Sequence, residues 1–471
     1  MIELDLGEGL QTLLLYKLWG NKIKSMTLIR NMTEGKPGSL IFQFAVSLML
    51  GNVFQQMYTF VDTLVVGRCV GVSALAALGS IDWLVFLMLG CVQGVTQGFS
   101  IYISQCFGNG ETEKLKKVIV NSIYLSLLIS VVLTMVGIMV CEPVLQIMDT
   151  PQEVIPFAVN YLLVLYGTVG VSVFYNLFAA ILRGIGDSTT PLKAVTIASI
   201  SNILLDILFV AIGGWGVIGA AVATVLAQII SIVYCLEVIK DENILCFEKK
   251  LFRVDYIYMR EMMLLGVPMG LQNMITAFGG MIVQSIINSF GVIFIAGFTA
   301  ANKLYGLLES AASSYGYGIA SFAGQNKGAG LYQRIHQGFK EASALGIMTA
   351  YLMSAVMLFF GKSIMRCFVT GATETIEKML IIGYEFLVIL AIFFPLLYLL
   401  YIWRACIQGM GNTIVPMLSS IVQLIMRMLC AILMTKVIGY RGIFWGEVFA
   451  WLGADVLLFI AYCVIKNKRK T

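Results

Sequence analysis

Four polar side chains in otherwise apolar segments have the chemistry to bind a small cation. Asp62 lies near the end of the first long apolar segment, and Asn202 and Asp206 share a later one. Residues four apart lie on one face of a helix, and Thr224 in the following segment adds a hydroxyl. Carboxylate, carboxamide and hydroxyl oxygens are hard ligands that can hold Na⁺. Two buried carboxylates can instead share a proton, because burial and mutual repulsion disfavour the doubly charged pair.

These residue types leave two interpretations open. An ionisable group inside a membrane span is costly and is therefore a candidate for ion coupling, with either H⁺ or Na⁺ as the ion. In the simpler interpretation, Asp62 bonds locally near a helix end, and Asn202 and Asp206 only satisfy each other.

The composition indicates which elements must position these residues. Of the 471 residues, 59% are hydrophobic and 12% are charged, whereas about a quarter are charged in soluble domains. The sequence therefore predicts an all-α membrane protein, with twelve apolar segments that can each cross a hydrocarbon core of about 30 Å. We number them spans 1 to 12: 39–64, 73–104, 118–140, 153–182, 191–212, 217–239, 261–288, 294–324, 338–360, 378–407, 416–436 and 442–465.

Two short motifs each occur once in each half of the chain. The motif Q-x-x-G-x-G begins at Gln105 and again at Gln325, and a G-x-G-(D/N)-x-x-x-P motif begins at Gly184 and again at Gly409. Six spans per half bring both halves into the membrane from the same side, which predicts a parallel repeat of two pseudo-symmetric six-helix lobes. The predicted units are an amino-terminal tail 1–37, an N-lobe 38–240, a linker 241–260, a C-lobe 261–466 and a carboxyl tail 467–471.

The basic residues predict the direction of the spans. Of the 31 Lys and Arg residues, 23 fall on the side of the termini and six on the opposite side, while Lys303 and Arg427 lie within spans. The positive-inside rule then places both termini in the cytoplasm of a cell membrane protein. In that topology, at about 1.5 Å per residue, Asp62, Asp206 and Thr224 all fall in the outer half of the bilayer, so they can meet.

A cleft between the lobes would be lined by spans 1, 2, 7 and 8. Amides, aromatic rings and thioethers suit loosely specified amphipathic cations. We also assign to this cavity Arg427, which replaces Asn202 in the second repeat; its alternative role is to pair with Glu385. Glu447 and Asp455 are interpreted as interfacial. The full set of predicted cavity residues is Gln55, Gln56, Tyr58, Gln93, Gln97, Gln284, Asn288, Tyr305 and Arg427.

Other classes of protein fit the sequence less well. The ten cysteines contain no C-x-x-C pair, which argues against a disulfide framework or a zinc site. The single histidine, His336, is placed in a loop, and no G-x-S-x-G or H-E-x-x-H string occurs, so an intramembrane enzyme is not expected. The basic residues form no aromatic-interleaved face for nucleic acid. We expect that the protein is a monomer and has no cofactor. Its expected partners are small organic cations or drugs and the lipid bilayer.

Several segments resemble the multidrug and toxic compound extrusion (MATE) family, in its prokaryotic DinF-like branch. They are Val61-Asp62-Thr63-Leu64-Val65-Val66-Gly67-Arg68, the two Q-x-x-G-x-G motifs, Leu182-Arg183-Gly184-Ile185-Gly186-Asp187, and Asn202 with Asp206. The similarity runs from about Ile41 to Lys466. It implies a V-shaped twelve-helix antiporter that expels organic cations in exchange for H⁺ or Na⁺. It also implies an ion site at Asp62, Asn202, Asp206 and Thr224.

The sequence departs from the sodium-driven branch of that family in the C-lobe. Members that resemble that branch carry a glutamate in span 7 and an aspartate in span 10. Here the first position is Ala277, and no acid occurs between Ile389 and Trp403. Ion coupling of that kind in the C-lobe is therefore not expected. A flippase for lipids or lipid-linked oligosaccharides stays as the alternative; it would need basic residues in the cleft, where Lys303 and Arg427 are the candidates.

Overall fold

The computed structural model describes residues 30–147, 150, 152–241, 252–368 and 373–467. Within them, eleven helices are long and apolar enough to cross a membrane, and one bent pair of helices makes a twelfth span. The predicted all-α membrane fold is confirmed. Most of the predicted amino-terminal tail, about half of the linker and the last four residues lie outside the described residues.

The observed helices run beyond the predicted apolar segments at nearly every end, because polar residues extend them past the hydrocarbon core. Span 4 is divided at Thr168, span 5 continues as a π-helix, and span 11 ends in a short helical turn. The bounds for spans 1 to 12 are Pro37–Cys69, Val72–Gly108, Thr112–Ile147, Ile155–Gly167 with Val169–Gly184, Thr189–Asp206 with Ile207–Ile212, Gly216–Asp241, Tyr256–Asn288, Val292–Gly328, Tyr332–Arg366, Thr373–Gly409, Ile414–Leu433 with Thr435–Ile438, and Arg441–Asn467.

The second repeated motif begins the helix that follows it. The Oδ1 atom of Asp187 accepts hydrogen bonds from the backbone amides of Thr189 (2.8 Å) and Thr190 (2.9 Å), and Oδ1 of Asn412 accepts one from the amide of Val415 (3.2 Å). Burial raises the pKa of the Asp187 carboxyl, and these amides oppose that shift. The motif therefore caps the free N–H groups at the start of spans 5 and 11.

Glycines allow the two lobes to pack backbone against backbone along spans 2 and 7. A Cβ atom on Gly98 would lie 2.3 Å from Cα of Gly266, and one on Gly94 would lie 2.4 Å from the carbonyl oxygen of Met269. Small residues at a helix crossing give close packing in membranes, where lipid offers no competing hydrophobic drive. The lobes therefore touch directly over this part of spans 2 and 7.

The first repeated motif joins the lobes at the end of the bundle that the charge rule assigns to the cytoplasm, which we call the inner end. Gln105 Nε2 donates to the carbonyl of Gly409 (3.0 Å), and Gln325 Nε2 donates to the carbonyl of Gly184 (3.1 Å). Each glutamine thus bonds to the second motif of the opposite lobe. The two sequence repeats form one reciprocal contact between the lobes, which periodicity within either half could not reveal.

Two further glycines allow this contact. A Cβ atom on Gly108 would lie 1.9 Å from the carbonyl oxygen of Gln325, and one on Gly328 would lie 2.0 Å from that of Gln105. The ends of spans 2 and 8 therefore cross with no room for a side chain. Because these distances are far below van der Waals contact, the inner end is closed tightly in this structure.

The segment before span 1 covers the contact between the two lobes at the inner end. The amide of Met32 donates to Gln325 Oε1 (2.8 Å), and Asn326 Nδ2 donates to the carbonyl of Met32 (3.0 Å). Arg334 Nη2 donates to the carbonyl of Gly35 (2.6 Å). Met32 is 1% exposed, so this segment adds a second layer of closure at the inner end.

Candidate functional site

The structure brings the four predicted ion-site residues into one buried region of the N-lobe. Asp62 is 7% exposed and Asp206 is fully buried. Asn202 Nδ2 donates to Thr224 Oγ1 over 3.3 Å, which joins spans 5 and 6. The charge of Asp62 acts on Asp206 from span 1, so spans 1, 5 and 6 meet at these residues.

Four oxygens of this cluster lack hydrogen-bond donors. Oδ1 of Asp62, Oδ1 of Asn202 and both carboxylate oxygens of Asp206 are buried, and none accepts a hydrogen bond within the described residues. The ion pairs formed in that part of the chain include neither aspartate. Burying unpartnered acceptors is costly, and for a charged carboxylate the cost is larger. The cluster therefore has the chemistry to take up a proton or a small cation.

The backbone changes its helix type directly after Asp206. Residues Ile207–Ile212 form a π-helix, which ends at Gly213. π-Helical turns are rare and are frequent at functional sites. This one adds a local irregularity beside a buried acid, and no apolar periodicity in span 5 indicates it.

Two tyrosines complete the surroundings of the aspartates. Tyr58 and Tyr161 both interact electrostatically with Asp62 and with Asp206. Tyr58, which the sequence predicts in the substrate cavity, lies beside the carboxylates, one helical turn before Asp62. Tyr161 was missed, because an aromatic residue in an apolar span is usually part of the packing.

A separate cavity of about 100 Å³ lies between the lobes, on spans 2, 7, 8 and 10. Two predicted residues, Gln93 and Gln97, line it. The sequence analysis does not assign span 10 to the cleft and selects other residues of spans 7 and 8, so it misses most of the polar lining, although amides in apolar spans are a usable signal. The polar and aromatic lining residues that it misses are Gln272, Asn273, Ser313, Tyr317, Tyr401, Arg404 and Gln408.

The other predicted cavity residues lie elsewhere. Gln284 Nε2 donates to Asn288 Oδ1 (3.0 Å) at the far end of span 7. Tyr305 stacks on Trp451, with ring centroids 6.3 Å apart. Gln55, Gln56, Tyr58 and Arg427 are also absent from the lining. A larger groove of about 420 Å³ follows spans 3 and 4 near Thr168, away from both polar sites.

The described residues contain no group of three or more His, Cys, Asp or Glu side chains placed to hold a metal ion. An ion at the N-lobe cluster would therefore be held by two carboxylates with amide and hydroxyl oxygens, which is a ligand set for a hard monovalent cation or a proton rather than for a transition metal.

Comparison with known proteins decides the family. The MatE family model matches residues 47–208 and 268–433, one match in each lobe. The chain belongs to the MATE family. MATE proteins are membrane transporters, so this chain is a transporter and not an enzyme.

Relatives of this MATE protein cover nearly all of it. The probable multidrug resistance protein YpnP of Bacillus subtilis is 26% identical over 434 residues, which cover 92% of this chain and 96% of that protein. YoeA of the same organism, also named a probable multidrug resistance protein, is 29% identical and covers 80% of this chain and 82% of its own length.

The fold agrees with solved MATE structures. A multidrug resistance MATE transporter of the MOP superfamily, solved in an outward-facing conformation, superposes with a TM-score of 0.86 at 22% identity, over 95% of this chain and all of that one. The twelve-helix MATE fold predicted from the sequence is confirmed.

Several charged residues of this MATE protein have different partners from those expected. Arg427 Nη2 pairs with Glu447 Oε2 at 2.7 Å, whereas Glu385 pairs with Arg441 and accepts from Tyr440 (2.9 Å). The predicted pairing of Arg427 with Glu385 is wrong, because span 11 presents Arg427 to span 12.

Two further expectations need correction. Asp455 is 4% exposed and lies in the C-lobe core rather than at the interface, because span 12 turns it inward. His336 lies in the first turns of span 9, where Nδ1 is 2.8 Å from the hydroxyl of Tyr462, because that helix begins before the apolar segment. Arg404 lies inside span 10, as the predicted bounds of that span require, and it lines the cavity.

The Arg427–Glu447 pair gives a stability prediction. The two side chains are 12% and 16% exposed, and removing one member of a buried pair leaves the other charge unpaired, at a cost of about 3 kcal/mol. Glu447→Gln should therefore lower the thermal midpoint of the purified protein in detergent. The double variant Arg427→Gln/Glu447→Gln should recover most of that loss; a double variant as unstable as the single one would show that the charge pair is not the cause.

Proposed function

We propose that this MATE protein is a secondary active antiporter that exports amphipathic organic compounds in exchange for H⁺ or Na⁺. The observation that carries the proposal is the N-lobe cluster. Two buried aspartates, Asp62 and Asp206, have three oxygens without donors and no basic partner within the described residues. Such a site is stable when a small positive ion occupies it and unstable when the ion leaves.

Binding or release of the ion would change the side of the membrane to which the cavity opens. In this structure the inner end is closed by Gln105 and Gln325. An ion that binds one conformation more tightly shifts the population toward that conformation. The free energy of the shift cannot exceed the difference between the ion's binding free energies for the two conformations. With the ion bound, Asp62 and Asp206 can stay close together; without it, their repulsion favours a rearrangement of spans 1 and 5. The π-helix after Asp206 is a place where span 5 can absorb that change.

The substrate would occupy the cavity between the lobes. Its amides, tyrosines and Met269 suit ligands held by adaptable contacts, and the relatives YpnP and YoeA are named as probable multidrug resistance proteins. The carboxylates and the cavity are separate, so exchange would work through the conformation of the lobes and not through direct competition. We place the protein in the cell membrane with both termini in the cytoplasm, acting as a monomer.

The flippase alternative is less favoured by the cavity. A lipid pyrophosphate would require several basic side chains, but Arg404 is the single basic residue of the lining among the residues that the structure describes, and Arg427 is paired with Glu447.

Vesicle measurements test the proposal and identify the ion. Everted vesicles with the protein are given a pH gradient alone and then a sodium gradient alone, and the export of ethidium and norfloxacin is followed by fluorescence. We expect export under one of the two gradients and none in vesicles without the protein. Export that needs neither gradient would contradict antiport.

A further inference from the structure

One arginine of the cavity keeps part of its hydrogen-bonding capacity unused. Arg404 lies on span 10 and is 7% exposed. Its Nη2 atom donates to Ser419 Oγ and to Gln423 Oε1, each over 3.2 Å. Nε has no partner, and no hydrogen bond from Nη1 occurs within the described ranges. Span 11 therefore holds the guanidinium through Nη2, while the hydrogen-bonding capacity of Nε and Nη1 is unused in a residue that lines the cavity.

The walls of the cavity do not neutralise this charge. No Asp or Glu lines it. Glu309 lies behind the wall, where it accepts a hydrogen bond from the Tyr401 hydroxyl (2.9 Å). Asp455 acts on Arg404 electrostatically from within the C-lobe, but the described residues form no ion pair between them within 4 Å.

A second guanidinium approaches the cavity from the other lobe. Arg183, at the inner end of span 4, lies over the ring of Tyr317 at 4.9 Å from the centroid. Tyr317 is itself a lining residue, so positive charge reaches the cavity from both lobes. On the acceptor side, Oε1 of Gln97 is buried without a donor. The lining thus carries one charged donor group, Arg404, and one amide, that of Gln97, whose oxygen has no donor.

We propose that this cavity binds an anionic group of the substrate, a carboxylate or a phosphate, through Arg404. The inference rests on the proposed export function and narrows its substrate class. A guanidinium presents parallel N–H groups that match a planar carboxylate, and a charge-assisted bond in a dry site is stronger than a neutral one. We therefore expect the protein to prefer zwitterions and anions with an aromatic body over simple cations.

The size of the cavity fits a head group and not a whole drug. Its volume is about 100 Å³, whereas pockets that enclose drug-sized ligands measure about 300–1,000 Å³. The aromatic body would extend from this cavity between the lobes. Norfloxacin carries a carboxylate and ethidium does not, which makes them a suitable pair of probes.

A purely structural role for Arg404 is the competing explanation, since its Nη2 bonds tie span 10 to span 11. The variant Arg404→Gln keeps a polar side chain that can still reach span 11. Binding of norfloxacin, norfloxacin methyl ester and ethidium is measured by titration of the purified wild type and variant in neutral detergent. We expect the wild type to bind norfloxacin at least about tenfold more tightly than the ester, a factor that corresponds to about 1.4 kcal/mol. In Arg404→Gln that preference should vanish, with ethidium binding unchanged.

A matched control separates the ligand contact from general damage. The double variant Arg427→Gln/Glu447→Gln removes a buried arginine of the same lobe outside the cavity lining, and it should keep the preference for norfloxacin over its ester. Equal weakening of all three ligands by Arg404→Gln, or no preference in the wild type, would overturn the proposal. If the wild type exports neither probe under any gradient, the export function fails, but the binding titration still decides the role of Arg404.

The anionic group could belong to a soluble compound or to a lipid. The titration is therefore repeated with phosphatidylglycerol or phosphatidylcholine added to the detergent. Competition by phosphatidylglycerol alone, lost in Arg404→Gln, would identify a lipid head group as an additional ligand. Without such competition, the norfloxacin preference assigns the site to soluble anions.

Discussion

Asp206→Asn is expected to remove ion-driven export while leaving substrate binding intact. The amide keeps the shape of the carboxyl, but it cannot carry the charge that an exchanged ion must balance. The coupling free energy between two binding sites, here the ion site and the substrate cavity, is typically about 1–3 kcal/mol. Loss of this coupling should lower gradient-driven export of ethidium by about 5- to 150-fold. The measurement is efflux from everted vesicles under the gradient that drives the wild type. Ethidium binding to the purified variant should stay within about twofold, because Asp206 lies outside the cavity lining.

A surface carboxylate provides the control for this variant. Glu142 lies near the end of span 3, where Gln146 donates to it on the exposed face (3.4 Å). Glu142→Gln removes one carboxylate charge in the same lobe and should export at the wild-type rate. Full gradient-driven export by Asp206→Asn would exclude the cluster as the coupling site, whatever the result for Glu142.

Gly108→Ala is expected to prevent closure of the inner end. The added methyl would lie 1.9 Å from the carbonyl oxygen of Gln325, and backbone on both sides leaves no flexible side chain to move. Overpacking of this kind costs about 1–3 kcal/mol, and here the cost falls on the closed conformation alone. The population should shift toward an open inner end, and export should fall by about tenfold or more.

A cysteine at position 104 can report this opening. Ser104 is 0% exposed, and a Cβ atom on Gly324 of the opposite lobe would lie 2.7 Å from its Cβ. In a variant whose sole cysteine is introduced by Ser104→Cys, Gly108→Ala should make labelling by a membrane-impermeant maleimide faster in everted vesicles. Gly79→Ala on the same span is the matched control, since its Cβ would meet nothing within 4 Å. Unchanged labelling in Gly108→Ala would contradict the assignment of this crossing to the closed inner end.

Much of the fold could be predicted because membrane spans are specified locally. A stretch of about 20 apolar residues crosses the bilayer wherever it occurs, and the two motifs repeated about 220 residues apart indicate two lobes without any knowledge of packing. The four residues of the N-lobe cluster could be proposed in the same way, since an aspartate in an apolar span is rare and helix rise gives its depth.

The side-chain partners could not be predicted in this way. The sequence predicts Arg427 in the cavity or paired with Glu385, but it pairs with Glu447, and nothing in the sequence indicates that Arg404 of span 10 lines the cavity. Sequence position gives the depth of a residue in the membrane but not the direction in which its helix turns it. Where a span is apolar on nearly every face, its pattern does not show which face points inward.

The class of protein, the number of spans, the repeat and the presence of two aspartates within spans follow from the order of residues along the chain. Only the folded molecule shows that the repeated motifs of one lobe bond to those of the other, that span 5 becomes a π-helix after Asp206, and that an arginine of span 10 lines the cavity. The physical reason is that hydrophobicity acts on each segment separately, whereas the rotation and crossing of helices depend on contacts between residues hundreds of positions apart.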